Sequence, residues 1–316
     1  MTAFTPATAP TIYFIGVTTG QSSILRVFPK WAEALGLADA RIVGIDLPLH
    51  APRDDYRRVV SFIKDDPHSR GALVTTHKID LFDACRDLFD EIDPLARLTE
   101  EMSCVSKRDG RLIASAKDPI TGGLALDAIV PAGHFARTGA EVFFMGAGGS
   151  TAAITWHLMQ AKRGDDRPSR IAISDVSQPR LDAYEALRER FDTDIPVETV
   201  LASAVQDNDR VMGDLRAGSL VVNATGLGKD GPGSPISDAA VFPRDGYAWE
   251  LNYRGDLVFL RQARAAASRQ PMTVSDGWVY FLHGWTRVIA EVFAIDIPTS
   301  GPLFEQLSDI AAPPGR

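Results

Sequence analysis

Two cysteines, Cys85 and Cys104, are all that 316 residues contain. That is too few for a disulfide scaffold, and their spacing matches no zinc cluster. The six histidines are scattered, with no HExxH pair or close ligand group, so no metal site is expected. Positive charge is short as well. Lys and Arg number 33 against 41 Asp and Glu, a net charge of -8. This disfavours nucleic acid as a partner, because a phosphate backbone demands a basic surface. No apolar run approaches the length needed to cross a bilayer. The N-terminus, MTAFTPATAP, lacks a basic region followed by a long apolar core, so no signal peptide is expected. Internal repeats and extended low-complexity segments are missing too. The expectation left standing is a reduced, cytoplasmic protein that acts on a small molecule as a monomer or homodimer, without membrane or nucleic-acid partners.

What is present reads as a folded chain. Apolar residues make up 45% and charged residues 23%, and the length allows two domains with substantial cores. TIYFIGV at 11–17 and GALV at 71–74 read as buried strands, and ARIVGIDLPL at 40–49 as a further strand ending at Pro48. Ile24, Phe28, Trp31 and Leu35 are spaced for one helix, with Pro29 in its first turn or at a kink. Val59, Val60 and Ile63 form the packing face of a second. After GALV, polarity arrives at once as Thr75, Thr76, His77 and Lys78. Ile79, Phe82, Cys85, Phe89 and Ile92 then form an apolar stripe that reads as one helix, capped by Thr76. Lys78 therefore belongs in a first turn, where the helix field opposes a cation. It is tolerated there if its ammonium reaches away or meets an anion. His77 reads as an orienting or surface residue, because adjacent helical side chains diverge. Residues 103–116, SCVSKRDGRLIASA, read as a hairpin with Asp109 and Gly110 in the turn.

A loop or linking helix near 119–139 leads to a second unit. Its first segment, AEVFFMGAGGSTAAITWHLM, sends the strand Val142–Met145 into a glycine turn and a small-residue helix. Glycines allow a tight turn and let backbone N–H groups approach a pyrophosphate. The strand before and helix after supply the context a dinucleotide site requires. Gly146, Ala147, Gly148, Gly149 and Ser150 are its candidates. RIAISD follows, and Asp175 at its end either binds the adenosine ribose or caps the next turn. A carboxylate there favours NAD over NADP, whereas nearby Arg167 and Arg170 offer a phosphate contact instead. Further strands are expected near Val197–Leu201, at SLVVNAT and at YAWELNY. Asn223, Thr225 and Gly226 either line the cofactor crevice or form an ordinary loop. The last long helix is aromatic, and the tail at 311–316 reads as loose.

Together these segments resemble the shikimate/quinate dehydrogenase family over nearly the whole chain. LVTTHK resembles the family's NVTxPxK, one residue shorter and without the proline, so Lys78 inherits the substrate-side lysine role. GRLIASAKDP resembles GxLxGxNTDG, so Asp118 inherits the catalytic aspartate role. GAGG is intact, NATxxG is matched from Asn223 to Gly228, and Tyr253 matches a tyrosine after the last cofactor-domain strand. The resemblance implies an α/β protein. An N-terminal α/β substrate domain, 1–130 with 256–316, joins a Rossmann-type doubly wound cofactor domain, 131–255, and the C-terminal helices return to the first domain. Ser22, Ser23, Thr75, Thr76, Ser103, Tyr253, Tyr280 and His283 are the implied substrate side, and Gly277 joins the cofactor side. For Ser22, Ser23, Thr75 and Thr76 helix capping is the competing role.

Departures from the family pattern fall on the substrate side. Ile24 stands at the second serine of SxS, Ser103 and Ala116 replace asparagines, and Gly284 replaces a glutamine. Lost hydrogen-bond partners imply a substrate other than shikimate. Val176 stands where the family's NADP enzymes carry an arginine, which again leans toward NAD. The implied reaction moves a hydride between NAD(P) and a cyclic alcohol or ketone. Lys78 transfers the proton with Asp118 as partner, or Lys78 orients the alcohol while Asp118 takes it. The alternative is a cofactor-binding sensor or regulator with little turnover, or a structural module on the same fold.

Overall fold

Buried, β-branched segments alternate with amphipathic ones along this chain, and the outcome is two six-stranded sheets flanked by helices. The computed structural model describes residues 4–229 and 231–312, so the last four residues of the expected loose tail lie outside the described residues. Contacts divide the chain into two compact units, Met1–Lys117 with Gly284–Arg316, and Asp118–His283.

The first unit runs β1 (Thr11–Gly16), α1 (Ile24–Ala34), β2 (Arg41–Asp46), α2 (Arg53–Asp65), β3 (Ser69–Val74), α3 (Lys78–Cys85), β4 (Glu91–Ile92), α4 (Pro94–Thr99), β5 (Cys104–Arg108) and β6 (Arg111–Ser115). The strand order is β2-β1-β3-β5-β6-β4. β1 lies parallel to β2 and β3, while β5 pairs antiparallel with β3 and β6. Asp109 and Gly110 both take positive φ, 50° and 76°, which suits the twist of a tight hairpin. Tyr13, Ile15, Val59, Val60, Ile63, Val74 and Phe82 share one core.

Three expectations change here. Pro29 sits inside α1 and not in its first turn, which leaves the kink as the reading of the two that the helix allows. Thr76 does not cap α3: it takes φ +58, and His77 holds the cap position without a side-chain bond. The stripe from Ile79 to Ile92 is not one helix. α3 stops at Cys85, a 3-10 turn covers Arg86–Leu88, and Ile92 lies in β4. Ile79 is 55% exposed, whereas Phe89 and Ile92 pack on the same core as Phe82. Helical spacing here records burial, not backbone.

The second unit holds α5 (Asp118–Ile129), α6 (His134–Thr138), β7 (Val142–Met145), α7 (Gly149–Met159), β8 (Ile171–Asp175), α8 (Gln178–Arg188), β9 (Val197–Leu201), α9 (Val205–Gly213), β10 (Leu220–Asn223), β11 (Gly246–Glu250), α10 (Val258–Ala267), β12 (Met272–Ser275) and the start of α11 (Trp278–Phe293). Its sheet is wholly parallel, in the order β12-β11-β10-β7-β8-β9. That is the doubly wound dinucleotide order, with its switch point between β7 and β10. Buried on both faces, Val142–Met145 and Leu220–Asn223 are fully sequestered, as parallel strands require.

These divisions fall at 118 and 284, not at the expected 131 and 256. α5 packs on α7 so closely that a Cβ on Gly122 would lie 2.8 Å from Ile154 Cγ1. β12 extends the second sheet, and α10 packs beside it. The chain then returns to the first unit through the end of α11 and α12 (Pro302–Ala311). There Trp31 Nε1 donates to the Leu307 carbonyl at 2.7 Å, and Phe28 stacks on Phe293.

Candidate active site

The glycine turn stands at the switch point. Gly146 takes φ +103, and a Cβ there would meet the Ala224 carbonyl oxygen at 2.8 Å. Its N–H donates to Ser174 O at 2.7 Å, and Thr151 Oγ1 donates to its carbonyl at 2.5 Å. Gly148 differs: a Cβ there would meet nothing within 4 Å. The backbone is thus bare where α7 begins, and the opening N–H groups of a helix have no intrahelical acceptor. Their field favours an anion. A cavity of about 540 Å³ opens here, lined by Gly146, Gly148, Asp175, Arg180, Thr225 and Ser234 among others. Its size and bare backbone fit a dinucleotide.

Asp175 is buried and braces this turn. Oδ2 accepts from Ala147 N–H and Oδ1 from Ser177 N–H, each at 2.9 Å. The second bond is the turn-capping alternative, and the first is a tie the sequence did not announce. Arg167 and Arg170 are committed elsewhere, to Asp194 and to Glu141 with Glu198. Arg180, which sequence reasoning passed over, is the arginine that lines the cavity.

Asn223 ends β10, buried, and its Oδ1 accepts from Thr225 N–H at 3.1 Å and Thr225 Oγ1 at 2.7 Å. Thr225 and Gly226 border the cavity. Gly277 does not. Its N–H donates to Asn252 O at 3.1 Å, and a Cβ would run into the Leu251 carbonyl, so close packing explains this glycine. Tyr280 reaches Ser150, donating to its Oγ at 3.4 Å, and its ring meets Trp249 edge-on. Tyr253 packs against Phe281, centroids 4.4 Å apart, and against Trp278. His283 is buried. Asp118, half-buried, opens α5.

In the first unit, Thr75 follows β3, and its methyl and that of Thr19 flank Gly16 at the end of parallel β1. Ser22 and Ser23 follow from the same strand, and Ser23 holds the N-cap position of α1 without a side-chain bond. Lys78 begins α3, half-buried. His77 is buried, not on the surface. Its Nδ1 lies 3.0 Å from the Tyr56 hydroxyl, which also donates to Asp80 at 3.3 Å. Burial and Asp80 push that hydroxyl up to about 12. Ser103 is buried too, its Oγ accepting from Lys117 N–H at 2.7 Å just before Asp118. Both cysteines are buried and free, and burial pushes each thiol up to about 12. Among the described residues no cluster of His, Cys, Asp and Glu could hold a metal ion, and no helix is long and apolar enough to cross a membrane.

No protein-family model matches the chain. The NADP(+) shikimate dehydrogenase of Streptococcus thermophilus is 27% identical over 223 residues, 70% of this chain and 72% of that protein. The chain is a divergent relative of the shikimate/quinate dehydrogenases. Solved members of that family share its fold. Quinate dehydrogenase from Corynebacterium glutamicum in complex with NAD superposes with a TM-score of 0.72 at 16% identity, covering 96% of this chain and 98% of that one. Shikimate 5-dehydrogenase from Listeria monocytogenes, in complex with shikimate and NAD, gives 0.69 at 17%, covering 98% and 99%.

Proposed function

We propose that this chain is an NAD(P)-dependent dehydrogenase acting on a cyclic alcohol or ketone, with a substrate preference altered from shikimate. The observation that carries the reading is the bare glycine turn at the switch point of a doubly wound parallel sheet, opening into a cavity of dinucleotide size. The N–H groups from Gly148 to Ser150 would hold the pyrophosphate, and Thr225 and Gly226 would flank the nicotinamide end. When bound, the nicotinamide accepts or returns a hydride. The resemblance assigns Lys78 Nζ the hydroxyl proton of the alcohol, or its return to the carbonyl oxygen, and assigns Asp118 the role of its acid/base partner. In either direction the positive charge stabilises the developing alkoxide.

The cofactor preference rests on a balance. Asp175 uses one acceptor position on each oxygen for backbone N–H groups, which leaves room for a ribose hydroxyl. Val176 is exposed and apolar where a cation would serve a 2'-phosphate, and this favours NAD. Arg180 pulls the other way.

The test is a panel of cyclic alcohols, polyhydroxylated ring acids included, supplied with NAD and with NADP and followed by reduced-cofactor absorbance. Turnover of at least one ring alcohol is expected, with shikimate a poor substrate. Tight cofactor binding with no oxidation of any alcohol would replace the enzyme with a cofactor-binding sensor. Efficient turnover of shikimate would remove the altered preference.

A further inference from the structure

Glu250 ends β11 with none of its surface exposed. Its carboxylate meets donors. Oε2 accepts from Asn223 Nδ2 at 2.7 Å, and Oε1 accepts from Asn252 N–H at 2.9 Å and Asn252 Nδ2 at 2.7 Å. The direction of these bonds matters, because both amides are also tied to one loop, Asn223 through its Oδ1 and Asn252 through the same Nδ2. Asn223 Oδ1 takes the N–H and hydroxyl of Thr225. Asn252 Nδ2 also donates to the carbonyls of Thr225 and Leu227, at 3.2 and 3.3 Å. Thr225, Gly226 and Leu227 form one rim of the cavity, which Glu250 itself does not line.

We propose that Glu250 is a positioning residue for the cofactor: as an acceptor-only carboxylate it orients the Asn223 and Asn252 amides, and through them the Thr225–Leu227 rim. The inference rests on reading that cavity as the dinucleotide site. An amide carries a donor end and an acceptor end, and either asparagine can flip. A carboxylate between them accepts only one orientation of each. A protonated carboxyl brings its own O–H into a place that holds only donors. One amide must then turn, and it releases Thr225 or the rim carbonyls as it does.

Burial pushes Glu250 up to about 7, the Asn252 and Asn223 bonds pull it down, and the Asp276 charge pushes it up. Of the groups that act on it, Asn223 comes from β10, Asn252 from the segment after β11 and Asp276 from the segment between β12 and α11. Asp276 alone of these is titratable. The rim is expected to loosen as pH falls through the region of 7.

The test measures the dissociation constant for NADH and for NADPH on the full chain from about pH 6 to about pH 8.5, beside NMR of the Thr225 N–H and both asparagine amides. In the wild type, binding weakens ~tenfold as pH falls, and the amide resonances move with a midpoint near 7. Glu250→Gln keeps the shape but adds a donor. It should weaken binding ~tenfold at high pH, raise KM for cofactor more than it lowers kcat, and erase both pH dependences. Glu250→Asp keeps an acceptor-only group and should recover part of the affinity. Amide resonances that ignore pH, or a Gln variant with unchanged binding and resonances, overturn the proposal. If the Gln variant does not fold, the wild-type titration decides. Failure of the cofactor reading looks different: the wild type binds neither reduced cofactor at any pH, and the proposed role falls with it.

Discussion

The two strand-to-helix crossovers at the heads of the sheets handle charge in opposite ways. In the second unit β7 runs into Gly146, and α7 starts on Gly149 just after Gly148, where a Cβ would meet nothing within 4 Å. In the first unit β3 runs into Thr75, Thr76 and His77, and α3 starts on a lysine. Both helix starts carry the same positive field. One is left bare, so it suits an anion. The other is loaded with a cation that its own helix does not favour. α3 carries Asp80 in its first turn but no side-chain cap, so its start only half follows the pattern that stabilises a helix N-terminus. The difference is that one turn is open to an anion, while the other places a cation at a helix start.

The largest effect separates these two jobs. Lys78→Ala should cut turnover by about 10²–10⁴-fold while the cofactor dissociation constant stays within about twofold. Steady-state kinetics beside a direct cofactor titration measures both. Equal losses in the two quantities would mean that the first crossover also serves binding, and the division of labour would collapse.

Gly146→Val attacks the other turn. The backbone there has φ +103, and the new Cβ would press on the Ala224 carbonyl at 2.8 Å. A loss of about 2–3 kcal/mol in denaturant unfolding is expected, with cofactor binding abolished. A variant that binds cofactor normally would show that the phosphates rest elsewhere.

Much of the frame behind this comparison was legible in the sequence. Val142–Met145 and Val197–Leu201 fold as strands over the expected bounds, because short runs of β-prone residues between turn residues have few other uses. The stripe from Ile79 to Ile92 misled, because a 3-10 turn and a two-residue strand can bury residues at helical intervals. The strand Met272–Ser275 was hidden as the approach to an aromatic helix, since only its pairing with β11 distinguishes it. The site was less legible than the fold. Glu250 and Asn252 look like routine polar residues at a strand end, and their partner Asn223 lies on a different strand. Asp175 was visible as a carboxylate at a strand end. Its tie to Ala147 needed three dimensions.

Arg180 gives a smaller and sharper test. It lines the cavity from the first turn of α8, near the end of β8 where Asp175 sits. Arg180→Ala should weaken NADP binding by roughly tenfold and leave NAD within about twofold, the cost of losing one charge-assisted phosphate contact. An unchanged NADP-to-NAD ratio would assign discrimination to Asp175 and Val176 alone.

The smallest effect lies at Thr76 and is a difference of opposing terms. Its φ of +58 is a left-handed conformation that a β-branched residue resists. Relief of that strain by glycine is worth about 1–2 kcal/mol, while the extra freedom of glycine in the unfolded chain takes back about 0.5–1 kcal/mol. Thr76→Gly should therefore stabilise the first unit by roughly 0.5 kcal/mol in denaturant unfolding. At Gly146 the same sign of φ is already served by glycine, so no such gain is available there. Activity decides what the strain is for. If turnover holds as stability rises, Thr76 is a tolerated flaw in the loop before Lys78. If turnover falls by more than about threefold while the fold gains stability, the strained threonine sets the lysine's approach.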